Sequence, residues 1–120
     1  MKRDALVIGI NQYPFLKRLK YPAGDAEAIA QLQKKYCEFS VRRLPAVNKD
    51  DELQVDSQQM VKLDEVKRAI TDLFCPQGEQ VPETAVLFFA GHGLRRDLGN
   101  KTEGYLATSN ATPRKELWGF

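Results

Sequence analysis

The stretch AVLFFAGHG, Ala85 to Gly93, decides how this chain is read. The apolar run from Ala85 to Ala90, bounded by Glu83 and Gly91, is as long as a strand and as unbroken as one covered on both faces. It is the best candidate for a central strand. An imidazole follows at once, between two glycines.

Working outward, ALVIGI (Ala5 to Ile10) reads as a second buried strand, closed by Asn11 and Pro14. Asn11 to Gly24, with Pro14 and Pro22, reads as a loop. A helix is predicted from about Asp25 to Tyr36, with Ala26, Ile29, Ala30, Gln33, Tyr36 and Cys37 on one stripe. Phe39 to Leu44 suggests a strand nearer an edge, because it carries Arg42 and Arg43. Asn48 to Gln59 is polar and without period, which predicts a long surface loop. A second helix is expected from about Lys62 to Phe74, with Leu63, Val66, Ile70, Leu73 and Phe74 on its apolar face and Cys75-Pro76 as its stop. After the histidine, Gly99-Asn100 signals a turn, and Tyr105 to Thr108 a short further strand.

Strands alternating with helices imply a parallel sheet with right-handed crossovers. The loops after the strands then share the carboxyl edge, where open α/β sheets place their sites. Asn11 to Asp25 and Gly91 to Gly104 should face the same side. Both helices should end on the other.

Composition narrows the function. The chain has 120 residues, enough for one domain, with 42% hydrophobic and 28% charged residues and a formal charge of +2. So small a charge implies neither nucleic acid nor a membrane surface. No stretch approaches the roughly 20 apolar residues of a membrane helix, and the start lacks the apolar core of a signal peptide. Two cysteines without close spacing argue against a disulfide framework or a zinc site and for a reducing cytoplasm. With one histidine in the chain, a multi-histidine metal site is excluded.

His92 is placed for proton transfer near neutral pH, on a rigid strand end. The small residues beside it would let a substrate backbone approach and leave the Gly93 amide free to donate a hydrogen bond. A lone histidine in a glycine-rich turn also fits a purely structural role.

FFAGHG after a strand resembles the histidine motif of the caspases, metacaspases and bacterial orthocaspases. ALVIGINQYP at the start, PAGDAEAI at the first helix and EGYLATSNA near the end resemble the same group in the same order, over about residues 4 to 119. The resemblance implies a three-layer α/β caspase-like domain over residues 1–120, incomplete, with about three parallel strands and two helices. It also implies a cysteine endopeptidase, with His92 as the catalytic histidine and Gly93 as the oxyanion-hole amide. Asp25, by position alone an ordinary helix cap, matches the acid that lines the pocket for Arg or Lys before the scissile bond. Ala90 stands where some metacaspases have serine.

The family's nucleophile is a cysteine after the next strand, in a motif like Asp-x-Cys-x-Ser-Gly, and this sequence does not reach one. Cys37 and Cys75 are expected at helix C-termini, far from His92 and disfavoured as thiolates; the expectation is two buried, inert thiols. Asp97 and Glu103 flank the His92 loop and could orient the imidazole, though solvated charges are the simpler reading. No cofactor is expected. The acidic stretch Asn48 to Asp56 has the composition for a weak calcium contact but matches no EF-hand.

Three readings compete. One is a piece of a peptidase cleaving after Arg or Lys, inactive alone. Another is a non-catalytic peptide-binding or regulatory module, pairing with a chain that supplies the cysteine half. The last, an unrelated nucleotide- or phosphate-binding α/β domain, is weakest, since no glycine-rich phosphate motif follows the first strand, where Gly9 stands alone.

Overall fold

The computed structural model describes residues 2–78 and 80–120. Along the chain run β1 (Arg3–Gly9), α1 (Pro22–Tyr36), β2 (Ser40–Leu44), β3 (Ala46–Lys49), β4 (Glu52–Val55), α2 (Leu63–Phe74), β5 (Thr84–Ala90), β6 (Gly93–Asp97), β7 (Thr102–Leu106) and a single 3-10 turn at Pro113–Lys115. Strands β2, β1 and β5 form a parallel sheet in that order, with Ile8 opposite Leu44 on one side and Phe89 on the other.

The central strand is therefore β1. AVLFFA lies at an edge among the described residues, and its side chains are only half-buried. Both faces of the run touch the core, Leu87 and Phe89 on one side and Phe88 on the other, but contact on a face says nothing about whether both hydrogen-bonding edges are filled. Its neighbour carries the core: Val7 and Ile8 have no exposed surface. Leaving water stabilises each by about 2 kcal/mol.

Alternation along β1 divides the core into two layers. Leu6, Ile8 and Ile10 pack with Val66, Ala69 and Leu73 of α2. Val7 packs on the other face against Ala23, Ala26 and Ala30 of α1. This is the expected three-layer α/β architecture. The small alanine face brings α1 close to the sheet, closest at Gly9, where a Cβ would meet the Pro22 carbonyl oxygen at 2.6 Å and the Ala26 Cβ at 2.8 Å.

Helix α1 begins earlier than predicted, with Pro22 in its first turn, where a missing N–H costs nothing. Asp25 is thus inside the helix and does not cap it. Tyr36 and Cys37, placed on the apolar stripe, are exposed at the end of the helix. Phe74 is likewise exposed at the end of α2.

The stretch Asn48 to Gln59 is not all loop. Most of it belongs to the antiparallel hairpin β3–β4, with Lys49 paired to Glu52 around a two-residue turn. Both turn residues, Asp50 (φ 51°) and Asp51 (φ 65°), are left-handed, as a type I′ hairpin demands. An Asp-Asp pair lacks the glycine that usually announces such a turn. The hairpin is held to α1 by Glu27. Its carboxylate receives Arg43 Nε at 2.9 Å and Nη2 at 3.2 Å, and Oε1 also accepts the Val55 N–H at 2.8 Å.

Burial pushes the Glu27 carboxyl up, but hydrogen bonds from Arg43, Gln31 and Val55 outweigh it and hold the group below its ordinary value. The folded value lies below the unfolded one. Its stabilisation is therefore complete above the unfolded pKa of about 4.3 and fades as pH falls through the folded value. Glu27→Ala, which strands the buried Arg43, should cost about 3 kcal/mol in urea unfolding at pH 7. Glu27→Gln should flatten the loss of stability below about pH 4.3; an unchanged acid limb would remove Glu27 from that role.

Candidate active site at the carboxyl edge

The loops after β1 and β5 meet at one edge of the sheet, as the alternation of elements requires. Ile10 N–H donates to Ala90 O at 3.0 Å, carrying the β1–β5 ladder one step beyond the strands. From there the two chains diverge, one into the loop before α1 and the other into Gly91 and His92.

Asn11 shapes the first loop. It is buried, and its Oδ1 accepts the Ala23 N–H at 2.9 Å. It thereby supplies from a distance the N-terminal cap that Asp25 was expected to provide. Its carbonyl accepts the Leu19 N–H at 2.9 Å, and its Nδ2 donates to Lys20 O at 3.4 Å. The loop is closed on itself, which aims the Lys17 carbonyl at the imidazole. His92 Nε2 lies 2.6 Å from Lys17 O.

A carbonyl oxygen can only accept, so Nε2 carries the hydrogen. In the neutral ring that leaves Nδ1 as the proton acceptor. The backbone of His92 is tied as well: its N–H donates to the Tyr13 hydroxyl at 3.0 Å, and its carbonyl accepts the Ala107 N–H at 2.8 Å. Tyr13 also meets the imidazole edge-on, centroids 4.6 Å apart at 74°.

The two glycines of the motif differ in purpose. At Gly91 a Cβ would collide with the Tyr13 hydroxyl and the Phe89 ring. Its smallness serves the protein's own packing, where the sequence suggested access for substrate. Gly93 is exposed, and a Cβ there would find only Tyr105 O, at 3.9 Å. Gly93 faces Leu106 across the β6–β7 hairpin. The Leu106 N–H and carbonyl are both engaged with Phe120, at 2.6 and 3.0 Å. The Gly93–Leu106 pair is therefore of the non-hydrogen-bonded kind, and the Gly93 amide points away from β7.

The segment after His92, expected as a loop, is mostly this hairpin. Strand β7 starts at Thr102, earlier than Tyr105, while Ala107, Thr108 and Ser109 form a buried connection. Asp97 bonds Arg95 and Thr102, and Glu103 receives the Tyr105 hydroxyl and pairs with Lys101 at 3.4 Å. Those bonds, Tyr105 first, hold the exposed Glu103 carboxyl below its ordinary value. The hairpin's own cations and hydroxyls claim both acids, so neither orients His92.

Asp25 is exposed in the first turn of α1, where its N–H bonds Tyr21 O at 2.9 Å. Cys37 and Cys75 follow α1 and α2, and both are exposed, which corrects the expectation of buried thiols. Each is the C-cap residue of its helix, one step past the last helical turn. Cys37 O accepts from Arg3 Nη1 at 2.9 Å, at the start of β1. A seven-residue strand separates that edge from the histidine, roughly 20 Å. Among the described residues no group of His, Cys, Asp or Glu could hold a metal ion, and no helix is long and apolar enough to cross a membrane.

A parallel sheet between helices, with a tethered histidine beyond a strand end, defines an α/β protein with a histidine fixed at the carboxyl edge of its sheet. A sequence model of the caspase domain, peptidase family C14, matches residues 2–119, and the chain belongs to that family. The sheet and helices correspond to part of its α/β fold. No curated protein matches the chain. Of the residues around the histidine, sequence reasoning passed over Asn11, Tyr13 and the Lys17 carbonyl. Their places one and three residues after a buried apolar run were the available signal for the first two; a carbonyl has none.

Gly91→Ala should lower stability by about 1–3 kcal/mol, the usual penalty for forcing atoms into a filled site. Gly24→Ala, on the exposed face of α1 with nothing within 4 Å of the added Cβ, should be neutral or stabilise by up to about 1 kcal/mol. Thermal melts of the two variants check both. Equal melting temperatures would contradict the close approach at Gly91.

Proposed function

We propose that this chain is the histidine-bearing part of a cysteine endopeptidase that cleaves after Arg or Lys. The observation that carries the reading is the imidazole itself. Its Nε2–H is engaged by the Lys17 carbonyl, which leaves Nδ1 as the base, beside a strand that is an edge strand among the described residues. In the proposed reaction a cysteine on a segment paired to β5 gives its proton to His92 Nδ1. The thiolate attacks the substrate carbonyl, and the Gly93 N–H supports the oxyanion. His92 then protonates the leaving amine, and water hydrolyses the thioester. Asp25 would hold the basic side chain by charge-assisted hydrogen bonds. The exposed free thiols Cys37 and Cys75 suit a reducing compartment, and the cytoplasm is the proposed location.

Alone, the chain should not hydrolyse fluorogenic Arg or Lys peptides. Supplying a cysteine-bearing segment with an Asp-x-Cys-x-Ser-Gly motif, fused or as a separate chain, should produce hydrolysis. His92→Ala should then lower kcat by about 10²–10⁴-fold. Hydrolysis by the isolated chain that survives His92→Ala would sink the assignment. Peptide binding without cleavage, even in the complemented protein, would favour a non-catalytic module. In the active complex, Asp25→Asn should reduce the preference for Arg over neutral residues by about tenfold or more; an unchanged preference excludes Asp25 from the pocket.

A further inference from the structure

Tyr13 is a buried residue at this edge with no assigned task. A buried phenol needs partners for its hydroxyl, and those of Tyr13 are unusual in their common target. Its O–H donates to Ala107 O at 2.8 Å and accepts the His92 N–H at 3.0 Å. The roles are unambiguous, because an amide only donates and a carbonyl only accepts. Ala107 in turn donates its N–H to His92 O at 2.8 Å. Tyr13 and Ala107 thus form a closed circuit around the main chain of His92. The Tyr13 ring packs edge-on against the imidazole, and Lys17, whose carbonyl engages Nε2, lies on the same loop.

We propose that Tyr13 is a positioning residue for the His92 base, fixing its backbone and ring so that Nε2–H stays on the Lys17 carbonyl and Nδ1 remains the acceptor. The proposal rests on the reading of His92 as a general base, but the placement it asserts is measurable without catalysis. Burial raises the Tyr13 phenol to about 12, so the hydroxyl keeps its proton throughout the range in which histidine works. Gly91 belongs to the same device, since any Cβ there would displace the hydroxyl. Ala107 is buried in the core cluster that also holds Val61 and Val66, so through Tyr13 the imidazole is referred to the α2 side of the core.

A tyrosine that merely ties two loops together would affect stability and leave the imidazole alone. The test therefore reads the ring. His92 is the sole histidine, so its ¹⁵N signals in the full chain report one tautomer without assignment ambiguity. Tyr13→Phe keeps the ring contact and removes the hydroxyl. It should speed exchange of the His92 amide by about tenfold, the factor for one ordinary hydrogen bond, and shift the tautomer pattern away from Nε2–H. Tyr13→Leu, which also removes the ring edge, should shift the pattern further. In a complemented active enzyme, Tyr13→Phe should lower kcat with KM unchanged.

A Tyr13→Phe chain that keeps its fold, its His92 amide protection and its tautomer pattern overturns the proposal. Should that variant fail to fold, the unaltered chain decides. A His92 amide exchanging like an exposed loop amide refutes the bond to Tyr13; a protected amide together with a cross-relaxation contact between the two rings upholds it. If the imidazole responds to Tyr13 while the complemented enzyme stays inactive, the positioning stands and the peptidase reading fails.

Discussion

The close approach of β1 and α1 at Gly9 is the constraint on which the carboxyl edge depends. With no Cβ at that position, the first turn of α1 rests almost on the strand. The loop between them must then return within a short distance. Asn11 makes that return possible by bonding the start of the helix and both sides of the loop's end. A wider strand–helix separation would carry Lys17 away from β5, and the imidazole would lose the carbonyl that sets its tautomer.

The histidine is held by groups that belong to other segments. Lys17 engages its ring nitrogen, Tyr13 its amide and ring edge, and Ala107 its carbonyl. Three of these four contacts use main-chain atoms of His92 or of its partner. An imidazole arranged this way is held in place by the fold, because backbone groups move only when the elements move. Among the described residues, none of these ties comes from the side of Gly93 and the outer edge of β5.

How much of this could be read beforehand varied with the kind of signal. The strand at Ala5 to Ile10 and the two helices were visible because apolar periodicity records contact with a core. The ranking of the strands was not: AVLFFA is more hydrophobic than ALVIGI in its aromatic content, yet the latter is central. Aromatic bulk on β5 fills the space under Phe120 and beside α1, which an edge strand can do as well as a central one. The β3–β4 hairpin was missed because Lys, Asn, Asp and Glu residues hide a strand pair whose support comes from Glu27 and Arg43. Asp25 looked like a cap because it begins the polar part of the helix, whereas the helix itself starts at Pro22 and takes its cap from Asn11.

By itself the sequence determined the α/β alternation, the position of His92 directly after a strand, the shared edge of the two loops and the family likeness. Those follow from local periodicity and chain order, which adjacent residues encode. Only the tertiary structure decided which strand is central, which ring nitrogen carries the proton, and that Gly91 makes room for Tyr13. Those depend on atoms 75 to 94 residues apart in sequence, brought together by packing that no local pattern records.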